Sequence, residues 1–245
     1  MDPGTGSDLD PDLTRLAALG GFFALRTGRP PLPPLPTLKE AYAARSVADE
    51  PDPLAFRVHK VVRLLRAPEM RIGVSVAQQG LAARLWSVTL GAAVLYGQVP
   101  DLDPRLLRWD ADGSAPNDLW LTEVRSLPGD ATTIRQVVQH GHLEALSAAL
   151  RARHPVSAGL LWGNAGSALA GAARELDRWG RANGREDVGE RARELAAELL
   201  DHPDLRGTGT LEGTAFRRRS CCLYYRIPGG GVCGDCCFTR PPSRS

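Results

Sequence analysis

VSVAQQGLAARLWSVTLGAAVLYG, residues 74–97, reads as one long helix that is apolar on nearly every side. A helix with no polar face has nowhere to meet solvent, so it belongs at the centre of a larger helical body. Gly97 and then Pro100 stop it, because glycine accepts the left-handed turn that closes a helix and proline cannot continue one. Gln78, Gln79 and Arg84 interrupt the apolar run. No window therefore reaches the ~18 uncharged apolar residues of a membrane span.

Working outward toward the N-terminus, Leu54, Val58, Val61, Val62 and Leu65 recur at helical spacing and predict a helix over 54–65. Thr37 is the expected N-cap of a short helix to about Ser46. Arg29–Pro36 reads RPPLPPLP. Ring-locked φ angles and missing N–H groups make it an extended polyproline connector. A helix over 12–25 would bury Leu13, Leu16 and Ala17, and residues 1–11 read as a disordered tail. Toward the C-terminus, Leu106–Trp109 and Leu119–Val124 predict two strands. The turn-rich segment 110–118 would join them as a hairpin. Helices follow over 132–153, ended by His154-Pro155, then over 157–179 and 186–200. Residues 201–213, with Pro203 and three glycines, read as a loop. The fold class is mainly α with a small β-hairpin (α+β). The expected organisation is a loosely packed N-terminal segment over 1–36, a helical body over 37–213, and an irregular C-terminal segment over 214–245.

Composition sets the class of protein. The 245 residues are 43% hydrophobic and 24% charged, ordinary for a globular chain, and the formal net charge is only +2. That balance speaks against a nucleic-acid partner. The first dozen residues are polar and acidic, with no basic region leading into an apolar run, so a cytoplasmic protein without an integral membrane segment is expected. All five cysteines lie between Cys221 and Cys237. An odd number crowded into one short stretch suits a ligand set better than a disulfide framework, which would tie distant elements together.

That stretch runs Cys221-Cys222, ten residues, Cys233-Gly234-Asp235-Cys236, with Cys237 adjacent. Thiolates are soft ligands suited to iron–sulfur clusters or to zinc. Leu223–Arg226 alternates as a strand would, and Pro228-Gly-Gly-Gly231 forms a turn that could return Cys233 and Cys236 to the first pair. On spacing alone, iron–sulfur and a structural four-cysteine zinc site serve equally well, although zinc knuckles usually come as two C-x-x-C pairs. Asp235, between two candidate ligands, is expected to stay solvated.

The C-C-x10-C-x2-C tail, with Cys222-Leu-Tyr-Tyr-Arg226 and Cys233-Gly-Asp-Cys236, resembles the C-terminal [2Fe–2S] motif of the FhuF-like ferric-siderophore reductases. Gln78–Ser87, the G-x-V-P-D-L-x-P run over 97–104 and Leu161-Trp-Gly-Asn164 with Ala168 are similar to further segments of that family. The resemblance implies a [2Fe–2S] cluster on Cys221, Cys222, Cys233 and Cys236, with Cys237 as an alternative fourth ligand. It implies one-electron reduction of siderophore-bound Fe(III) to Fe(II), with no catalytic residue beyond the cluster. Hard oxygen ligands hold Fe(III) far more tightly than Fe(II), so adding an electron lets the iron go. The chain departs from the pattern in its fifth cysteine, and residues before about Arg66 carry no resemblance.

Arg217, Arg218, Arg219, Arg226 and Arg240 flank the cysteines. They are candidates to stabilise the reduced cluster, or to meet an anionic ferric complex or an acidic donor. Trp162 and Asn164 are candidate substrate contacts. His140 and His142, two apart on a helix, make a poor chelating pair and read as surface or capping residues. No G-x-G-x-x-G follows a strand and no Walker loop is present, so the electron is expected from outside, from a ferredoxin or a flavin-dependent reductase. Two other readings stay open: a non-catalytic iron–sulfur carrier or sensor, and a binding protein with a structural zinc tail.

Overall fold

A computed structural model describes residues 13–30, 33–43 and 52–242. The expected tail over 1–11 and the end of the helix predicted to reach Ser46 lie outside these residues. Among them no helix is long and apolar enough to cross a membrane.

The helix starts follow local chemistry. Helix α1 (Leu38–Tyr42) opens on a capping box, with Thr37 Oγ1 accepting from the Glu40 amide and the Glu40 carboxylate accepting from the Thr37 amide. Helix α2 (Pro53–Leu65) opens on Asp52, whose carboxylate accepts from the amides of Leu54 and Ala55 at 3.0 Å. Helix α3 (Met70–Tyr96) is the long apolar helix, and Gly97 closes it at φ 69°. It runs through the centre of the body. A short α4 (Ala131–Ile134), α5 (Glu144–Arg153), α6 (Ala158–Ala182) and α7 (Glu186–Leu200) surround it. The main layers are α3 on α6, α6 on α7 and α2 on α3.

Arg84, the charge inside the apolar run, is only 2% exposed. Its Nε donates to Asp118 at 2.9 Å, and its other nitrogens donate to the carbonyls of Gly21, Phe22 and Ala24. Every guanidinium nitrogen has a partner, so the buried charge ties the N-terminal segment and the strand region to the central helix. Leu13, Leu16, Phe23 and Leu25 are buried in the same core. The described part of the segment expected to be loosely packed is therefore built into the body. The helix expected over 12–25 stops early: after a 3-10 turn at Leu16–Leu19, Gly20 turns the chain.

The predicted hairpin is present as β3 (Leu107–Trp109) and β4 (Leu119–Leu121), antiparallel with Trp109 opposite Leu119. Strand β1 (Arg26–Thr27) joins β4 in parallel. A second ladder pairs β2 (Gln98–Pro100) with β5 (Ser126–Pro128). The helix expected over 132–153 is continuous, but Arg135–Leu143 winds as a π-helix between α4 and α5. The wider turn points His142 into the core, where it meets the Tyr42 hydroxyl at 3.0 Å and the Leu102 carbonyl. His142 is thus a core residue rather than a surface or capping one, while His140 pairs with Glu144 at 2.6 Å.

Candidate metal centre

The supposed loop before the cysteines is half of a second hairpin. Strand β6 (Gly209–Glu212) pairs antiparallel with β7 (Ala215–Arg218), Gly209 opposite Arg218. The pleat of β7 turns Phe216 and Arg218 inward and leaves Ala215 and Arg217 exposed. The strand lies on α6, so the chain enters the cysteine segment from a fixed position. Close approach needs Gly163 of α6: a Cβ there would sit 2.1 Å from Ser220 Oγ, which donates to the Gly159 carbonyl at 3.0 Å.

Past Cys222 the backbone departs from the expected strand. Leu223 takes a left-handed conformation at φ 68°, and Tyr224–Arg226 form a 3-10 turn. The glycine turn then reverses the chain as predicted. A Cβ on Gly230 would meet the Tyr224 carbonyl at 2.4 Å, so this approach excludes other side chains. The Cys236 amide donates to the Cys233 carbonyl at 3.1 Å, folding the second cysteine group into a tight turn.

The reversal gathers all five thiols. Cys222 Sγ lies 3.5 Å from Cys233 Sγ. The sulfurs of Cys221, Cys236 and Cys237 lie within 4.8 Å of one another. All five cysteines are free, and only Cys222 is buried. Such separations exceed a disulfide bond of ~2.05 Å. They suit sulfurs sharing a tetrahedral metal, whose edge is about 3.8 Å for 2.3 Å metal–sulfur bonds. Hydrogen bonds from Cys221 and then Cys233 hold the Cys222 thiol far below its ordinary range, and those two thiols rise because they share a proton with it and are partly desolvated.

Asp235 corrects the expectation of a solvated carboxylate. It is buried, with Oδ2 accepting from Ser167 Oγ at 2.7 Å and Oδ1 from Arg174 Nη1 at 2.9 Å, both on α6. Its backbone carbonyl accepts from the Arg218 amide at 3.0 Å. The residue between two candidate ligands therefore latches the cysteine segment to both α6 and β7. Sequence held a weak signal for this: an acid between ligands needs a counter-charge, but nothing local named Arg174.

The remaining candidates separate cleanly. Asn164 is fully buried; its Nδ2 donates to the Ser75 carbonyl at 2.9 Å and its Oδ1 accepts from Arg218. It braces the segment from beneath and has no surface to offer a substrate. Trp162 is half-buried against the core. Arg226 Nη1 meets Glu69 at 2.6 Å and its guanidinium lies 5.6 Å from the Tyr225 ring centre. Arg217, Arg219 and Arg240 are exposed. A cavity of about 350 Å³ opens beside the latch, lined by Phe22, Gln79, Ser87, Ser167, Arg174 and Asp235 among others.

Residues 218–238 match the family model for the FhuF 2Fe–2S C-terminal domain. No curated protein matches the chain. The match begins at the inward-facing Arg218 and ends just past Cys237, spanning the segment in which the thiols converge. With that convergence it identifies an FhuF-like cysteine segment whose cofactor is a [2Fe–2S] cluster.

Proposed function

We propose that this chain, which carries an FhuF-like 2Fe–2S segment on a helical body, is a cytoplasmic ferric-siderophore reductase. One observation carries the reading. Five thiols converge at the surface end of a latched hairpin, inside the span that matches the FhuF domain, with four of them partly exposed. A partly exposed centre can exchange electrons with a bulky complex without that complex entering the protein. The assigned ligands are Cys221, Cys222, Cys233 and Cys236, with Cys237 the alternative fourth; the sulfurs pair as Cys222 with Cys233, and Cys221 with Cys236 or Cys237.

When bound, the [2Fe–2S] group supplies single-electron transfer at a potential the protein sets. The chain's own residues do the rest. Asp235, Ser167 and Arg174 fix the second cysteine group on α6. Ser75 Oγ donates to the Cys222 carbonyl at 2.8 Å and fixes the first group on α3. Exposed Arg217, Arg219 and Arg240 give this end of the molecule a positive field that favours anionic partners. One electron from an external ferredoxin or flavin-dependent reductase passes to siderophore-bound Fe(III), giving Fe(II). The hard oxygen donors hold Fe(II) weakly, so the iron leaves.

The test mixes reduced protein anaerobically with ferric siderophores and a chromogenic Fe(II) chelator. One Fe(II) trapped for each electron lost by the protein supports the reductase reading. Protein that stays reduced with every ferric siderophore, yet reoxidises readily against a protein acceptor, would assign it to electron carriage instead.

A further inference from the structure

Arg218 is 2% exposed, and among the described residues no carboxylate pairs with it. Its Nη2 donates to Asn164 Oδ1, while Nε and Nη1 are buried with no hydrogen-bond partner among the described residues. A guanidinium cannot shed its proton, so this is a fixed positive charge held out of water. Such a charge is costly unless negative charge lies close by. Buried Arg84 in the same fold obeys that rule, with Asp118 and three carbonyls around it.

The hydrogen bonds around Arg218 lead into the cysteine segment. The Arg218 amide is bonded to the carbonyl of Asp235, the residue before Cys236. From its guanidinium a chain of hydrogen bonds runs through Asn164 to Ser75 Oγ, at 3.0 Å, and on to the Cys222 carbonyl. The exposed arginines of the tail differ, because water screens them.

We infer that Arg218 is the built-in counter-ion of the [2Fe–2S] centre and sets its potential. Four thiolates on an oxidised cluster leave a net negative charge, and reduction adds one more. A fixed positive charge in a dry setting stabilises the more negative state, so it raises the midpoint potential. The inference rests on the cluster and is independent of the siderophore reading. It would hold equally for an electron carrier.

The test is an anaerobic redox titration of cluster-loaded protein, following the visible spectrum and the paramagnetic signal of the reduced form. Arg218→Met should lower the midpoint by about tenfold in the one-electron equilibrium or more, which is about 59 mV. Arg218→Lys should stay near the parent value, and Arg191→Gln, at an exposed arginine of α7, should not move it. Asn164→Asp keeps the contact but sets a carboxylate against the guanidinium, so it should lower the potential even if Arg218→Met fails to hold a cluster. Cluster-loaded Arg218→Met or Asn164→Asp at the parent potential would overturn the inference and leave Arg218 as a prop beneath the tail.

Discussion

Two buried residues show how single side chains position the centre. Asp235 answers Ser167 and Arg174 on α6 while sitting between two cysteines. Replacing it with alanine strands a partly buried guanidinium and a buried hydroxyl, a loss of about 1–3 kcal/mol. Asp235→Ala should release its cluster to a chelator several-fold faster than the parent, while α-helical circular dichroism is unchanged. Equal release rates would remove the latch. His142 makes a second residue-scale prediction. Burial lowers its pKa from 6.5 to about 4. The unfolded chain therefore binds a proton that the folded chain refuses between those values, so stability is full above pH 6.5 and falls as pH drops toward 4. The loss amounts to about 3 kcal/mol at the limit. Urea melts at pH 7.5 and pH 5 should show that slope, and His142→Gln should flatten it.

At the scale of elements, much was legible where a pattern was local and long. The 54–65 run, the apolar 74–97 run and the 186–200 run each carry several helical turns of periodicity, and the helices observed are Pro53–Leu65, Met70–Tyr96 and Glu186–Leu200. Strands β1, β2 and β5 hold two or three residues each, too few for a period, and their partners lie far away in sequence. The π-turn was equally silent, because its energy comes from seating His142 against Tyr42 and Leu102 rather than from propensity. The cysteines announced themselves by spacing, whereas Arg218 looked like its exposed neighbours until the pleat of β7 turned it inward. The seat of that hairpin is testable. Gly163→Val crowds Ser220 and should cost about 1–3 kcal/mol in thermal melts and weaken cluster retention. Gly159→Ala, where a Cβ meets nothing within 4 Å, should do neither.

For the whole molecule, the cysteine end is rich in arginine. Residues 215–242 hold five arginines and one aspartate, a net +4 before the cluster's own negative charge is counted. The cysteine end is therefore a basic pole, studded with the partly exposed side chains of Tyr224, Val232 and Phe238. Basic poles steer acidic partners, and screening by salt weakens that steering within a Debye length of about 8 Å. Electron entry from an acidic protein donor should slow several-fold between 50 mM and 500 mM salt in stopped-flow traces, while entry from a neutral small reductant should not. A salt-independent rate with the acidic donor would place docking elsewhere. All of this depends on what the thiols hold. The most direct measurement is iron, acid-labile sulfide and zinc per chain on anaerobically prepared protein, with its visible spectrum before and after dithionite. A [2Fe–2S] centre predicts about two irons and two sulfides, a red-brown colour, and bleaching on reduction. A colourless protein with one zinc would contradict it and make the tail a structural clip.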